Sequence, residues 1–546
     1  MRHLRSSLST FTAIPIFLVA VVLSISALQS PDIFSENQML GVQFGSVLAQ
    51  SEEPTVRFSD ASGNPVFNEP GFTSEVVAEG LELPTTMAFL SQNDILVLEK
   101  DKGTVRRVID GVLQPQPLLD VNIAGATADN ERCMCGIAVS QNNETGKTNV
   151  FLYYTEAEGE DRGTPIGNRL YKYDLVSDGT TSQASLTNPQ LLLDLPALPG
   201  PRHNGGAITI GPDGNIYIPI GDSDKVDEET QAQNEPDVPV DGSGGILRVT
   251  QDGEPVPDPT TGEYILGDES PLNLYYAYGV RNSFGIDFDP VTGNLWDSEN
   301  GPGHSDEINL VEPGFNSGWN QIMGVWERGG GDPRNGDGTR ASPQPEGLVD
   351  FDGRGHYHPP QLTWVYTIGP TGIKFLDSDK YGAGYQNDLF LGTIHAGYLY
   401  HFKLNDDRTD LLLPEPLLDG MADTDAEAIT EPILFASGFG GISDLEVSPY
   451  DGYMYVVSLG QGKIFKILPT EELDLSASAG TSSTVPLSSP DRTVPSVEEV
   501  PSEDSDEEDS TDGSDSDEGD NNDNGNDNNG NGNGGGNDGD NNDSRD

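Results

Sequence analysis

Three stretches of this chain carry side chains with reactive chemistry where no turn or strand requires them. The first, GPRHNGGAITIGPDGNIYIPIGD, covers residues 200–222 and places His203 just before a strand, between Arg202 and the Gly205-Gly206 pair. A neutral imidazole there can take a proton from a substrate hydroxyl. The glycines let a flat ligand approach the backbone. The second, residues 278–320, puts Arg281 and Asn282 before one strand and Asn300-Gly301-Pro302 after the next, with Asp306 and Glu307 following. Arg281 is a planar donor suited to a carboxylate or quinone oxygen. A Gly-Pro turn exposes carbonyl oxygens, which together with carboxylates suit a hard cation such as Ca2+. Plain structure uses the same residue types, as a solvent-exposed histidine or an Arg–Asp ion pair between elements. The third stretch is ERCMCG, with Cys133 and Cys135 two apart. On a strand they share a face, so a Cys-x-Cys disulfide, a soft metal pair with a histidine and two packed thiols all remain open. No nucleophile–base motif accompanies the paired carboxylates, so hydrolase chemistry is not indicated.

The elements that position these residues follow a repeat. Between about residues 71 and 466 the chain shows almost no helical periodicity, only short β-rich runs broken by Gly, Asp, Asn and Pro turns. One phrase recurs from Thr85, Cys135, Gly205, Phe284, Thr371 and Ser443: an apolar strand, a polar turn, a second strand, then a third. Each unit is too small to bury its own faces, so the units must stack in a ring. The expected fold is all-β, a six-bladed β-propeller over residues 71–470. Its chemistry belongs on the loops at the axial mouth.

Charge removes whole classes of partner. The 546 residues hold 90 Asp and Glu against 28 Lys and Arg, a formal net charge of −62. Nucleic acid and anionic membrane surfaces repel such a chain. From Glu498 to Asp546 there are 19 acidic residues and one Arg, so the body is also acidic. Residues 471–546 run from Ser/Thr/Pro-rich to an Asn/Asp/Gly tract that cannot bury enough apolar surface to fold, and a disordered tail is expected. Arg2, His3 and Arg5 precede an apolar run from Phe11 to Leu28, which reads as a signal peptide or membrane anchor over 1–28. Residues 29–70 would be a linker. The body is then extracytoplasmic, meeting a membrane only through that anchor. Two cysteines exclude a disulfide-built scaffold.

HNGGAITIGPDGNIYIPIGD and GVRNSFGIDFDPVTGNLWDSENGPGHSDEINLVEPGFNSGWN together resemble the soluble glucose/sorbosone dehydrogenases. These are six-bladed propellers that use pyrroloquinoline quinone (PQQ) and Ca2+ to oxidise aldoses. The resemblance implies that His203 is the general base toward the anomeric hydroxyl, supported by Asp222. It places Arg281 near the quinone oxygens, and Asn282, Asn300 and Thr371 at cofactor contacts. Gly301 and Pro302 would offer carbonyls to the catalytic calcium, and Glu307 lies where some members hold a second one. An electron acceptor outside the cytoplasm is the implied partner.

The chain departs from that pattern on the cofactor side. Glu131 stands where the family has an amide, His395 where it has a lysine, and Gly441 and Ser443 where glucose enzymes have arginines. PQQ carries three carboxylates, so these changes remove charge-assisted hydrogen bonds. Arg202 and Lys374 are the candidate replacements. Two readings result: a PQQ- and Ca2+-dependent aldose dehydrogenase, or a catalytically silent propeller binding a carbohydrate or protein. A third uses Cys133 and Cys135 with another redox cofactor.

Overall fold

The computed structural model describes residues 63–470, apart from 126–130, 143–144, 160–161, 178–183, 226–228 and 431. The signal or anchor at 1–28 and the tail at 471–546 lie outside the described residues, as does most of the 29–70 segment. Within them the chain is all-β, with one four-residue helix, Asp425–Ala428, and three short 3-10 turns. No described helix is long and apolar enough to cross a membrane.

The strands form a propeller arrangement of blades. Among the described residues they sort into six sheets of four to six strands and one two-stranded hairpin, Ile322–Met323 with Trp326–Glu327. Each repeated phrase supplies an edge strand of one sheet: Pro84–Ser91, Met134–Asn142, Thr209–Ile210, Ser283–Phe288, Pro370–Phe375 and Ile442–Val447. These strands face their counterparts in neighbouring sheets. Thr85 Oγ1 donates to the Met134 carbonyl at 2.7 Å, and the Ala207 amide to that of Phe284 at 2.9 Å. Thr371 Oγ1 donates to the Ile442 carbonyl at 2.7 Å, and Ser443 Oγ to that of Pro84 at 2.8 Å.

This close approach explains a feature of the repeat. A Cβ on Gly206 would collide with the Phe284 carbonyl, and one on Gly285 with that of Thr371. GGAITI and FGIDF therefore carry glycine where backbones meet at the centre. Between sheets the core is aromatic. Trp296 and Trp364 of one sheet pack with Phe375, Tyr400 and Phe402 of the next, all almost wholly buried. Acids at strand ends are tied by cations, as at Arg107 with Asp94 and Arg408 with Asp289.

The circuit is completed by the ends of the described chain. Phe72–Glu79 pairs antiparallel with Lys463–Pro469, and Val66–Phe67 pairs with Leu434–Ser437. Among the described residues, pairing begins at residue 66, inside the stretch expected to be linker.

Candidate active site

His203 lies in the loop ahead of Thr209–Ile210, is 5% exposed, and takes a left-handed backbone with φ +57°. Its Nδ1 is 2.5 Å from Asp222 Oδ1. Asp222 follows the buried strand Ile216–Ile220, and its carboxylate also accepts the Asp224 amide at 2.8 Å. A carboxylate at Nδ1 fixes that nitrogen as the donor and leaves Nε2 as the acceptor. Burial works against the Asp222 charge. The His203 hydrogen bond, the nearby Arg281 charge and the Asp224 amide outweigh it and hold the carboxyl below its ordinary range. The pair is a buried base with its orienting acid.

Arg281 is the second fixed point. It is 6% exposed, donates from Nη1 to the Asn300 carbonyl at 2.6 Å, and lies 5.4 Å from the Trp319 ring centroid. Burial lowers its affinity for the proton, while Asp222, Glu131, Glu299 and Asp306 oppose that. Its Nε is buried with no partner among the described residues. Asn300 reaches Asn282 through its amide at 3.0 Å and Pro370 through Nδ2 at 2.9 Å. The backbones of Asp222 and Arg281 also meet: the Arg281 carbonyl accepts the Asp222 amide at 2.9 Å, and a Cβ on Gly221 would strike it.

The structure redistributes several roles expected from sequence. Asp306 does not stand free as a metal ligand. Its Oδ1 accepts the Gly301 amide at 2.8 Å, and Oδ2 accepts those of Ile368 and Gly369 at 2.7 and 2.8 Å. It builds the Gly301-Pro302 turn instead. Glu307 faces into its own sheet, accepting the Gly324 amide and Asn309 Nδ2. Among the described residues no group of three or more His, Cys, Asp or Glu side chains is arranged to hold a metal. The carbonyl pair remains: the Gly301 oxygen takes one amide, from Gly303 at 2.9 Å, and keeps its second lone pair.

Thr371, expected at a cofactor contact, directs its hydroxyl to the Gly392 and Ile442 carbonyls. Glu131 belongs to the site but grips protein: Oε2 accepts the His203 amide at 2.9 Å and lies 3.5 Å from Asn282 Nδ2. His395 is exposed and packs beside Gly369. The candidate replacement cations are engaged elsewhere. Lys374 pairs with Asp287 at 3.2 Å and Glu446 at 3.0 Å, and Arg202 with Asp224 at 3.0 Å. Ser443 is turned inward, and Gly441 accepts the Leu459 amide. At the expected positions, Arg281 is therefore the cation left for a polyanion, with the His395 imidazole as the other donor. A cavity of about 800 Å3 lined by Lys225, Glu229, Asn320 and Arg328 includes none of the candidate residues. Another, of about 850 Å3 around His401 and Leu412, touches no candidate residue.

Sequence reading missed an acid cluster behind Arg281. Asp297 and Glu299 alternate on Leu295–Glu299 and face Asn309 and Glu307 across the strand pair. Burial pushes the Asp297 carboxyl up to about 7. Burial, then the Asp297 charge, pushes Glu299 up to about 8. The acid-x-acid alternation in LWDSEN was the readable signal, since an amphipathic strand would turn both toward one face. Below about pH 4 these groups are protonated both folded and unfolded. As pH rises, the unfolded chain loses these protons first, so the cluster lowers stability between about pH 4 and pH 8. Metal-free protein should therefore melt at a lower temperature at pH 8 than at pH 5, and Glu299→Gln should flatten the slope. Calorimetry across that range checks it, and an unchanged slope in the variant would show that Glu299 is not responsible.

The sequence profile of the family described as Glucose / Sorbosone dehydrogenase matches residues 81–466. Aldose sugar dehydrogenase YliI from Escherichia coli K12 is 24% identical over 397 residues, spanning 72% of this chain and 92% of the relative. Quinoprotein glucose dehydrogenase B from Acinetobacter calcoaceticus is 28% identical over 279 residues, spanning 47% and 54% respectively. Among solved structures, an oxidoreductase described as a glucose dehydrogenase, from Thermus thermophilus, superposes with a TM-score of 0.51. It is 28% identical and covers 73% of this chain and 100% of its own.

Proposed function

The chain belongs to the glucose/sorbosone dehydrogenase family of oxidoreductases, and from that premise we propose that it is an exported, PQQ- and Ca2+-dependent aldose dehydrogenase. The reading places a six-bladed propeller at 71–470, with 1–28 as signal or anchor, 29–70 as linker and 471–546 as an acidic tail. The observation that carries it is the buried His203–Asp222 pair, whose backbone meets that of Arg281.

His203 Nε2 takes the proton of the anomeric hydroxyl, and Asp222 steadies the imidazolium that results. Arg281 supplies donors beside the reacting centre, and its partnerless buried Nε fits a ligand acceptor. Asn282 and Asn300 hold that arginine's loop to the neighbouring turn. Gly301 and Pro302 would hold Ca2+ through their carbonyls. PQQ, when bound, supplies the two-electron acceptor for the anomeric hydride, and a carrier outside the cytoplasm would then reoxidise it.

A second reading, a silent propeller that binds carbohydrate or protein, is favoured by one observation. Ser443 and Gly441 place no cation at the edge of the mouth, and Lys374 and Arg202 are paired elsewhere. Titrating the purified chain with PQQ in the presence of Ca2+ decides between them. Saturable absorbance changes, bleached by aldoses, are expected for the dehydrogenase. Absence of PQQ binding, with sugar binding retained in calorimetry, would establish the second reading.

A further inference from the structure

Cys133 and Cys135 form a disulfide, and both are buried at the inner end of Met134–Asn142. Their Cα atoms are 5.1 Å apart, whereas alternate residues of a regular strand lie about 6.5 Å apart. The contraction has a visible counterpart in the pairing. Met134 opposes Tyr154 and Gly136 opposes Tyr153, so Cys135 is an extra residue with no partner across the ladder. That is a β-bulge, and the disulfide spans it. Bulges re-aim the chain beside them. Without this one, the residues before it would shift by one position and present the opposite face.

What the bulge aims is the segment that grips the His203 loop. The Glu131 and Arg132 amides both donate to the Pro201 carbonyl, at 3.0 and 3.2 Å. Arg132 Nη2 donates to the Ala197 and Gly200 carbonyls at 2.6 and 2.7 Å. Glu131 Oε2 accepts the His203 amide at 2.9 Å. His203 itself stands at φ +57°, a backbone state that a non-glycine residue keeps only when its surroundings over-determine it.

We propose that the Cys133–Cys135 disulfide is a positioning element for the general base: it locks the bulge that turns Glu131 onto the His203 amide and so holds the imidazole in its working place. Cys133, Cys135 and Glu131 are positioning residues that act through His203. The inference rests on the assignment of His203 as the base under the proposed function.

The test is a mutant cycle on the full chain: Cys133→Ala with Cys135→Ala, Glu131→Ala, and the three changes combined. The disulfide variant and Glu131→Ala should each lower kcat about tenfold with KM within about twofold, the scale of a slightly misplaced catalytic group. The triple variant should be no worse than either, because both act through one contact. Glu131→Gln, which keeps an acceptor for the amide, should recover most of the rate. Losses that multiply, or an unchanged kcat in the disulfide variant, would overturn the proposal. A second readout does not need turnover: the backbone amide signal of His203 in histidine-labelled protein. It should move alike in the disulfide and Glu131 variants, and an unmoved signal in the disulfide variant overturns the proposal. Wild-type protein reduced in its native state, with both thiols confirmed by mass, serves if the alanine variant does not fold. A chain that oxidises no aldose but shows the coupled amide shift would keep the positioning and refute the dehydrogenase reading.

Discussion

Replacing His203 with alanine is expected to lower turnover of aldoses by roughly 100-fold or more, the usual scale for a lost general base. PQQ binding should stay within a few-fold, because the imidazole's one fixed partner is Asp222. The fold should survive as well. His203 already carries a Cβ at this left-handed position, so alanine adds little strain, and the backbone bonds to Glu131 and Ser223 do not involve the imidazole. Steady-state kinetics beside a melting curve measures both. Turnover within threefold of wild type would remove His203 from the mechanism.

The second large effect belongs to Arg281. Its guanidinium is the cation that faces Asp222, Glu131, Glu299 and Asp306. Arg281→Met would remove a counter-charge from the buried Asp222 carboxylate, a change that costs about 3–5 kcal/mol. Arg281→Lys should recover only part of this, because a point charge cannot reproduce the fork that meets Asn300 and lies by Trp319. Glu299→Gln in the Met background should restore stability only above about pH 8, where Glu299 loses its proton. Denaturant unfolding gives the number. A loss under about 1 kcal/mol would mean that Asp222 needs no arginine.

The sequence made the blades legible because their cause is local. Each phrase carries its own alternation, its own turn and a small residue where the backbones crowd, as at Gly206 and Gly285. His203, Asp222 and Arg281 were legible for a related reason, since each borders a strand and faces the mouth wherever the blade goes. Roles that depend on what arrives from another blade were not. Asp306 looks like a ligand beside Gly301-Pro302 until Ile368 and Gly369 bring two more amides to it. Lys374 reads as a spare cation until Asp287 and Glu446 flank it. Glu131 reads as a cofactor contact, yet its acceptor meets the His203 amide, 72 residues on. Spacing allowed a Cys133–Cys135 disulfide but could not choose it over two thiols, because the bulge that accommodates it depends on register with Lys147–Ala157.

The pairing of Phe72–Glu79 with Lys463–Pro469 sets an order on the birth of this molecule. The first of these strands leaves the ribosome nearly 400 residues before its partner exists. Until then one sheet lacks a member, and its open edge is a template for any passing strand. A chain cut short at about residue 460 would keep every site residue named above and still lack closure. Such fragments should be recovered as aggregates or proteolytic debris, not as weakly active enzyme. Quality control over this protein can therefore read one signal, whether the last strand has docked.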